Sequence, residues 1–128
     1  NKLLNDPHKL IILGDGNQIK SYLDVKDGVK GVLNISKIHK ESSAVFNLGH
    51  DETMNVINLA NIICDEMNLD KVKYEFTGGK RGWKGDSPFV HLDTKRAKEY
   101  NWAPTISIED GIRNTVRYLL SDQSKRFR

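Results

Sequence analysis

Residues 10–25 read LIILGDGNQIKSYLDV, and this stretch contains the signal for two extended segments joined by a tight turn. Four consecutive apolar residues at 10–13 have the length and composition of a β-strand. The GDGN sequence at 14–17 is typical of a turn, because glycine and asparagine adopt backbone angles that other residues avoid. Residues 22–25, YLDV, predict a second extended segment. The first part of the core is therefore expected to be β-structure.

A helix is expected after this β-structure. Asp27 has the short acidic side chain of an N-cap, and the apolar residues that follow it recur at helical spacing. The residues on the apolar face would be Val29, Val32, Leu33 and Ser36. Gly28 and Gly31 weaken such a helix by up to about 1 kcal/mol each if they are interior. Their presence indicates that the helix packs closely against another element.

The rest of the chain alternates predicted strands and helices. Residues 44–49 (AVFNLG) and 72–76 (VKYEF) predict strands, and the predicted N-caps of three further helices are Thr53, Thr94 and Ser107. The first of these helices has an apolar stripe formed by Val56, Ala60, Ile63 and Met67. Strands separated by helices predict an α/β fold with a small mixed sheet and packed helices. A chain of 128 residues can bury one core and has no room for a second domain of typical size.

The composition is that of an ordinary globular domain. Hydrophobic residues make up 38% and charged residues 29%, and no apolar run approaches the ~18–20 residues of a membrane span. The net charge of +3 permits an anionic ligand, but a nucleic-acid-binding protein usually gathers more charge, so nucleic acid is not expected as a partner. The single Cys64 cannot form an intrachain disulfide, which favours a cytoplasmic location.

A second glycine-rich segment lies at residues 79–88, GKRGWKGDSP. Three glycines and a proline predict a shaped loop. The cations of this loop suit a phosphorylated ligand, and Asp86 adds an acceptor for hydroxyl groups. The alternative is that the loop is only a solvated, lysine-rich surface segment.

Four segments, in order, resemble a known family. They read GDGNQIKSYLDVKD at 14–27, VFNLGHDETMNV at 45–56, RGWKGDSPFVHLDTKRAKEYNWAP at 81–104 and SIEDGIRNTVRYL at 107–119. They are similar to the C-terminal, substrate-binding part of the extended short-chain dehydrogenase/reductases that act on nucleotide sugars, the epimerases and dehydratases of the UDP-glucose 4-epimerase type. The resemblance covers almost the whole chain.

This resemblance implies a two-domain enzyme of which residues 1–128 are a fragment, the nucleotide-sugar-binding domain. In the family, an N-terminal Rossmann-type domain binds NAD or NADP through a GxxGxxG motif, and no such motif after a strand occurs here. The cofactor, held by the absent domain, would oxidise and re-reduce the sugar of a nucleotide-diphosphate sugar. This chain alone is expected to be inactive, and the full-length enzyme could be a homodimer formed through the absent half.

The resemblance also implies substrate-binding residues near the first turn. Lys20 stands where the family has an arginine that holds the substrate's diphosphate, and lysine keeps the charge without the two-pronged geometry. Gln18 is a weaker candidate. Asn47, at the end of the VFNLG strand, is a low-ranking candidate, because an asparagine there is more often a turn residue.

The second loop departs from the family pattern. Asp86 matches the family's ligand-contacting acid, but Trp83 occupies the position of the family's arginine three residues earlier. Arg81 or Lys84 could supply the missing cation. Trp83 could stack on a base or sugar face, or it could be a rim residue of the core.

No catalytic or metal-binding residue is assigned to this chain. Tyr22 and Lys26 have the spacing of the family's catalytic Tyr-x-x-x-Lys pair, but an extended segment would separate them by ~13 Å. The four histidines show no metal-ligand spacing.

Three alternatives remain open from the sequence. The first is a reductase or decarboxylase of the same family, and the second is a non-catalytic module that binds phosphorylated ligands or nucleic acid. The third is a fragment that binds nothing until it is paired with its first domain.

Overall fold

A computed structural model of the chain describes residues 2–121. In chain order, the elements are α1 (Lys2–Asn5), β1 (Lys9–Ile12), β2 (Ile19–Lys20), α2 (Val25–Ile38), β3 (Met54–Asn55), α3 (Val56–Glu66), β4 (Lys73–Phe76), β5 (Phe89–Val90), α4 (Lys95–Glu99) and α5 (Ile108–Leu120). Of these helices, none is both long and apolar enough to cross a bilayer.

The described strands form two small sheets. β1 pairs in parallel with β4, with Lys9 opposite Lys73 and Ile12 opposite Phe76. β2 lies between β3, to which it is antiparallel, and β5, to which it is parallel. The predicted α/β class with mixed β-structure is confirmed, although the strands are divided between two sheets.

The turn after β1 requires its glycines. Gly14 and Gly16 have φ angles of 81° and 78°, in the left-handed region that glycine adopts without strain. A Cβ on Gly16 would lie 2.6 Å from the side chain of Ile57 and 2.7 Å from that of Phe76. The predicted turn is therefore confirmed, and its second glycine also permits close packing against α3 and β4.

The start of α2 differs from the prediction. Asp24, and not Asp27, is the N-cap, and its carboxylate accepts a hydrogen bond from the backbone N–H of Lys26. The strand after the turn covers only Ile19–Lys20, with one further backbone hydrogen bond from the Ser21 N–H to the Val90 carbonyl, and Val25 already begins the helix. The predicted extended segment at 22–25 is therefore not part of a strand. Asp24 lies there as the N-cap of α2 and satisfies an N–H of the first helical turn.

Asp27 instead has a buried role. Only 1% of its surface is exposed, and its carboxylate accepts hydrogen bonds of 2.8 Å from the backbone N–H groups of Thr105 and Ile106 and from the Thr105 hydroxyl. Trp102 donates its indole N–H to the Asp27 carbonyl. Burial alone would raise the pKa of the Asp27 carboxyl, but these hydrogen bonds and the nearby charge of Lys30 outweigh it and lower the pKa. The carboxylate thus joins α2 to the segment before α5.

The predicted apolar face of α2 points outward. The buried residues of the helix are Asp27, Gly31 and Ile35, whereas Val29, Val32 and Leu33 are more than half exposed. Gly31 is buried because Trp102 packs directly against it, and a Cβ there would lie 2.7 Å from the indole nitrogen. Helix α2 therefore has one face in the core and a second apolar face on the surface.

The predicted strand at 44–49 is not a strand. No residue between 43 and 50 pairs with a strand of the described chain, and Val45 is 80% exposed. Its carbonyl accepts a hydrogen bond from the guanidinium of Arg96, which also lies 4.6 Å from the centre of the Phe46 ring. The segment is held by these side-chain contacts.

A second part of the core lies between α3 and α5. Its buried residues are Ile108, Ile112 and Val116, with Leu59, Ile63 and Met67 packed against them. Outside this contact, Glu66 of α3 accepts hydrogen bonds from Arg113 and Arg117 of α5.

The N-cap of α3 is Asn55 and not Thr53, since the Asn55 side chain accepts a hydrogen bond from the backbone N–H of Asn58. The predicted Ser107 cap of α5 is confirmed.

Replacing Gly31 with alanine should destabilise the fold, because the added methyl group would overlap the Trp102 indole. We expect a loss of about 1–3 kcal/mol in the free energy of unfolding, measured by urea denaturation. Gly28→Ala is the matched control, since its Cβ would meet only Leu23 at an ordinary 3.6 Å. That variant should be neutral or gain up to about 1 kcal/mol from helix propensity. Equal effects of the two substitutions would contradict the close contact at Gly31.

Asp27→Ala should lower the free energy of unfolding by about 2–4 kcal/mol, because it leaves three partly buried hydrogen-bond donors without their acceptor. Asp70→Ala, at an exposed aspartate, should change stability by no more than about 0.5 kcal/mol. Since the folded-state pKa of Asp27 is lowered, its stabilisation is complete above the unfolded pKa of about 3.9 and is lost as the pH falls through the folded value. The difference between wild type and variant should therefore shrink in acid; a constant difference down to strongly acidic pH would refute this account.

Candidate ligand-binding site

The two glycine-rich segments lie against each other. A Cβ on Gly14 would be 3.1 Å from the backbone carbonyl carbon of Arg81, and a Cβ on Gly82 would be 3.4 Å from the Cβ of Leu13. The backbone N–H of Ile19 donates to the Pro88 carbonyl at 2.7 Å, which continues the pairing of β2 with β5. The loop at 79–88 is thereby positioned over the turn at 14–17.

Lys20 and Asp86 form an ion pair between these segments. The Lys20 ammonium lies 2.6 Å from Oδ1 of Asp86 and also donates to the Ser87 carbonyl. The other carboxylate oxygen accepts the backbone N–H of Gly82 at 3.0 Å. The pKa of Asp86 is lowered. The main cause is the hydrogen bond from Lys20, and the second is the hydrogen bond from the Gly82 N–H. The two side chains are 20% and 13% exposed, so the pair is largely shielded from water.

A cavity of about 330 Å³ adjoins this ion pair. Its wall is formed by β1, the turn that follows, α3 and the second loop, through Lys2, Leu10, Ile11, Ile12, Leu13, Gln18, Lys20, Val56, Leu59, Ala60, Ile63, Gly82, Trp83 and Asp86. Most of these side chains are apolar, and the charged ones are Lys2 and the Lys20–Asp86 pair. The cavity combines an apolar wall with a few convergent polar groups, as small-molecule sites do.

Gln18 lies on the cavity wall but is almost fully buried, at 2% exposure. Its amide nitrogen donates to the Leu13 carbonyl at 3.1 Å. Its amide oxygen has no hydrogen-bond partner among residues 2–121. The side chain therefore closes the turn after β1 and retains one unused acceptor.

The other candidate residues of the second loop, Arg81, Trp83 and Lys84, are exposed. Trp83 is 65% exposed and lines the cavity. Arg81 and Lys84 are exposed, do not line the cavity and form no ion pair within residues 2–121. The structure thus brings Lys20, Asp86 and Trp83 to one cavity and leaves the other two cations outside it.

Asn47 lies apart from this cavity. Its side-chain amide donates to the Asp93 carbonyl at 3.1 Å, which connects the segment at 43–50 to the start of α4. This contact gives the side chain a structural partner.

The apolar wall of the cavity is not predicted by the sequence. Val56, Ala60 and Ile63 of α3 were expected only as core residues, and a helical stripe by itself does not show which part of it lines an open space. Lys2 also lies on the wall, where its ammonium donates to the Ile11 carbonyl at 3.3 Å. No sequence motif marks this lysine.

The environment of Tyr22 argues against an acid–base role. Burial, and secondly the negative charge of Asp86, raise the pKa of its hydroxyl. A catalytic tyrosine instead needs its pKa lowered by a nearby cation. Within residues 2–121, no group of three or more His, Cys, Asp or Glu side chains is placed to hold a metal ion.

Comparison with protein-family models gives no match. Individual curated proteins do match. The chain is 25% identical over 116 residues to a dTDP-glucose 4,6-dehydratase of Streptomyces griseus, covering 91% of this chain and 34% of that protein. It is 28% identical over 118 residues to a UDP-glucuronate 4-epimerase of Thermodesulfobacterium geofontis, covering 91% and 35%. The chain therefore spans about a third of the length of these relatives.

Solved structures show the same fold. A UDP-glucose 4-epimerase from Thermotoga maritima, solved with UDP-glucose, is 29% identical with a TM-score of 0.74, over 94% of this chain and 36% of its own. A dTDP-glucose 4,6-dehydratase from Bacillus anthracis, solved with NAD, has a TM-score of 0.79 at 18% identity, over 99% and 40%. The resemblance inferred from the four motifs is confirmed, and the match is to part of each Rossmann-type enzyme.

Proposed function

We propose that this chain, whose homologues and structural neighbours are nucleotide-sugar epimerases and dehydratases, binds the nucleotide diphosphate of such a substrate. The observation that carries the proposal is the cavity between the two glycine-rich segments, with Lys20 and Asp86 at its polar end. A largely shielded lysine beside an open apolar space is suited to an anionic ligand with an organic body.

Each candidate residue has a proposed role. Lys20 exchanges part of its contact with Asp86 for a phosphate oxygen, and Asp86 then accepts a hydroxyl of the ribose or sugar. The exposed cations Arg81 and Lys84 meet the phosphates at the rim of the cavity. Gln18 offers its unused amide oxygen. Asn47 has the weakest support, because its amide is engaged with the backbone carbonyl of Asp93, which precedes α4.

The chemistry itself is proposed to occur with a second, N-terminal domain. Bound NAD or NADP would supply hydride transfer, but the turn of this chain follows β1 with the sequence GDGNQ, leads into β2 rather than a helix, and lacks the dinucleotide fingerprint. This chain would place the sugar by holding its diphosphate. The enzyme would be an epimerase or dehydratase, and the chain alone would be inactive.

Two surface features support a docking domain of this kind. The outward face of α2 exposes Val29, Val32 and Leu33, and apolar surface of this type usually marks an interaction site. The segment at 43–50 has no strand partner within the described chain and could extend the sheet of another domain. A homodimer formed through that domain, and a cytoplasmic location with Cys64 as a buried free thiol, belong to the same proposal.

Lys20→Ala in the full-length protein should weaken binding of UDP-glucose at least about tenfold, because it removes the cation and leaves Asp86 to repel the phosphates. Binding of NAD, measured by calorimetry on the same samples, should not change. Lys26→Ala removes an exposed lysine from the first turn of α2 and serves as the control. An unchanged affinity for UDP-glucose in Lys20→Ala would remove Lys20 from the proposed site.

Val32→Asp in the full-length protein should lower stability by about 1–3 kcal/mol, because a charge would be buried under the docked domain. Asn34→Asp adds the same charge on the opposite side of α2, where the residue is exposed, and should be nearly neutral. Thermal unfolding of both variants would test this docking. Equal stability of the two variants would show that the α2 face remains in solvent.

A further inference from the structure

Trp83 is a large aromatic side chain that remains 65% exposed while lining the cavity. The other tryptophan of the chain, Trp102, is 4% exposed and donates its indole N–H to a backbone carbonyl, as a core residue does. Trp83 therefore leaves a broad apolar surface in water, at the side of the cavity where Lys20 and Asp86 lie. Such a surface has the chemistry of a contact for a flat ligand group.

The indole is held in place from below. A Cβ on Gly85 would lie 2.5 Å from Cζ3 and 2.9 Å from Cη2 of Trp83, so the six-membered ring rests directly on the Gly85 backbone. The turn is closed by a hydrogen bond from the backbone N–H of Asp86 to the Trp83 carbonyl at 3.0 Å. Asp86 is in turn fixed by Lys20 and by the N–H of Gly82. The ring is therefore restrained before any ligand binds, which lowers the entropy cost of stacking.

The charges around the ring fit a nucleotide. Inside the cavity, the apolar wall lies beside Lys20, the cation proposed for the diphosphate, which is paired with Asp86 before a ligand binds. Outside it, the same loop carries Lys80, Arg81 and Lys84, which are exposed and form no ion pair within residues 2–121. A ligand with a neutral planar ring and anionic phosphates matches this separation of apolar surface from cations.

From these contacts we infer that the nucleobase of the substrate stacks on the exposed face of the Trp83 indole, with its phosphates towards the cations of the loop. The inference rests on the proposed function and assigns the base-stacking residue of that site. Since every base offers a π-face, Trp83 adds affinity for nucleotides over base-free phosphates while discriminating little between one pyrimidine base and another.

The test measures binding of UDP and of base-free ribose 5-phosphate to the full-length protein by calorimetry. Trp83→Ala should weaken UDP binding about fivefold or more and leave ribose 5-phosphate unchanged, and Trp83→Phe should retain most of the affinity for UDP. Phe89→Ala is the matched control, because Phe89 is 59% exposed on the neighbouring strand and does not line the cavity. It should bind both ligands as the wild type does.

A second variant separates stacking from loop structure. Gly85→Ala displaces the ring without removing it. As a single substitution it should weaken UDP binding, and combined with Trp83→Ala it should cause no further loss.

Equal weakening of UDP and ribose 5-phosphate binding by Trp83→Ala would make Trp83 a scaffold of the loop and overturn the inference. No weakening of either ligand would also overturn it. Binding of UDP-glucose that depends on Lys20 but not on Trp83 would refute the stacking alone. A wild-type protein that binds neither UDP nor UDP-glucose would refute the proposed function together with it.

Discussion

The buried carboxylate of Asp27 is the interaction on which the arrangement of helices depends. It accepts three hydrogen bonds from the segment just before α5, and all three are directed across a long stretch of chain. A carboxylate that loses its water must recover comparable interactions inside the protein, and backbone N–H groups are directional donors. Asp27 therefore determines which side of α2 faces the core. Trp102 packs on the same side, against Gly31, which leaves no room for a larger residue.

The candidate site depends on a second charged contact of a different kind. Lys20 of β2 pairs with Asp86 of the loop at 79–88. The loop that carries Trp83 is therefore attached to β2, the strand that follows the turn at 14–17, and leads into β5 of the same sheet. This pair has two consequences. It orders the loop before a ligand is present, and it pairs two opposite charges at the wall of a mostly apolar cavity. An anionic ligand must therefore compete with Asp86 for the lysine.

The surface of the chain carries apolar groups that a self-contained domain would be expected to cover. Helix α2 is apolar on the side turned away from the core, and the segment at 43–50 has no strand partner in the described part of the chain. The relatives that match this chain are about three times its length. The proposed second domain would account for both features. It would bury the apolar face of α2 and would pair the backbone polar groups of the segment at 43–50.

The sequence alone was sufficient for the elements whose signals are local. These elements are the strand before Gly14, the glycine turn, the Ser107 cap and the apolar stripe of α3. Each follows from residues that are close together in the sequence. The four motifs indicated the family. The tertiary structure decided the outward face of α2, the absence of a strand at 44–49, the burial of Asp27 and the ion pair of Lys20 with Asp86. Each of these depends on which residues, many of them far along the chain, pack against the element in question. Helical periodicity identifies an apolar face, but the direction of that face is set by whichever element packs against it.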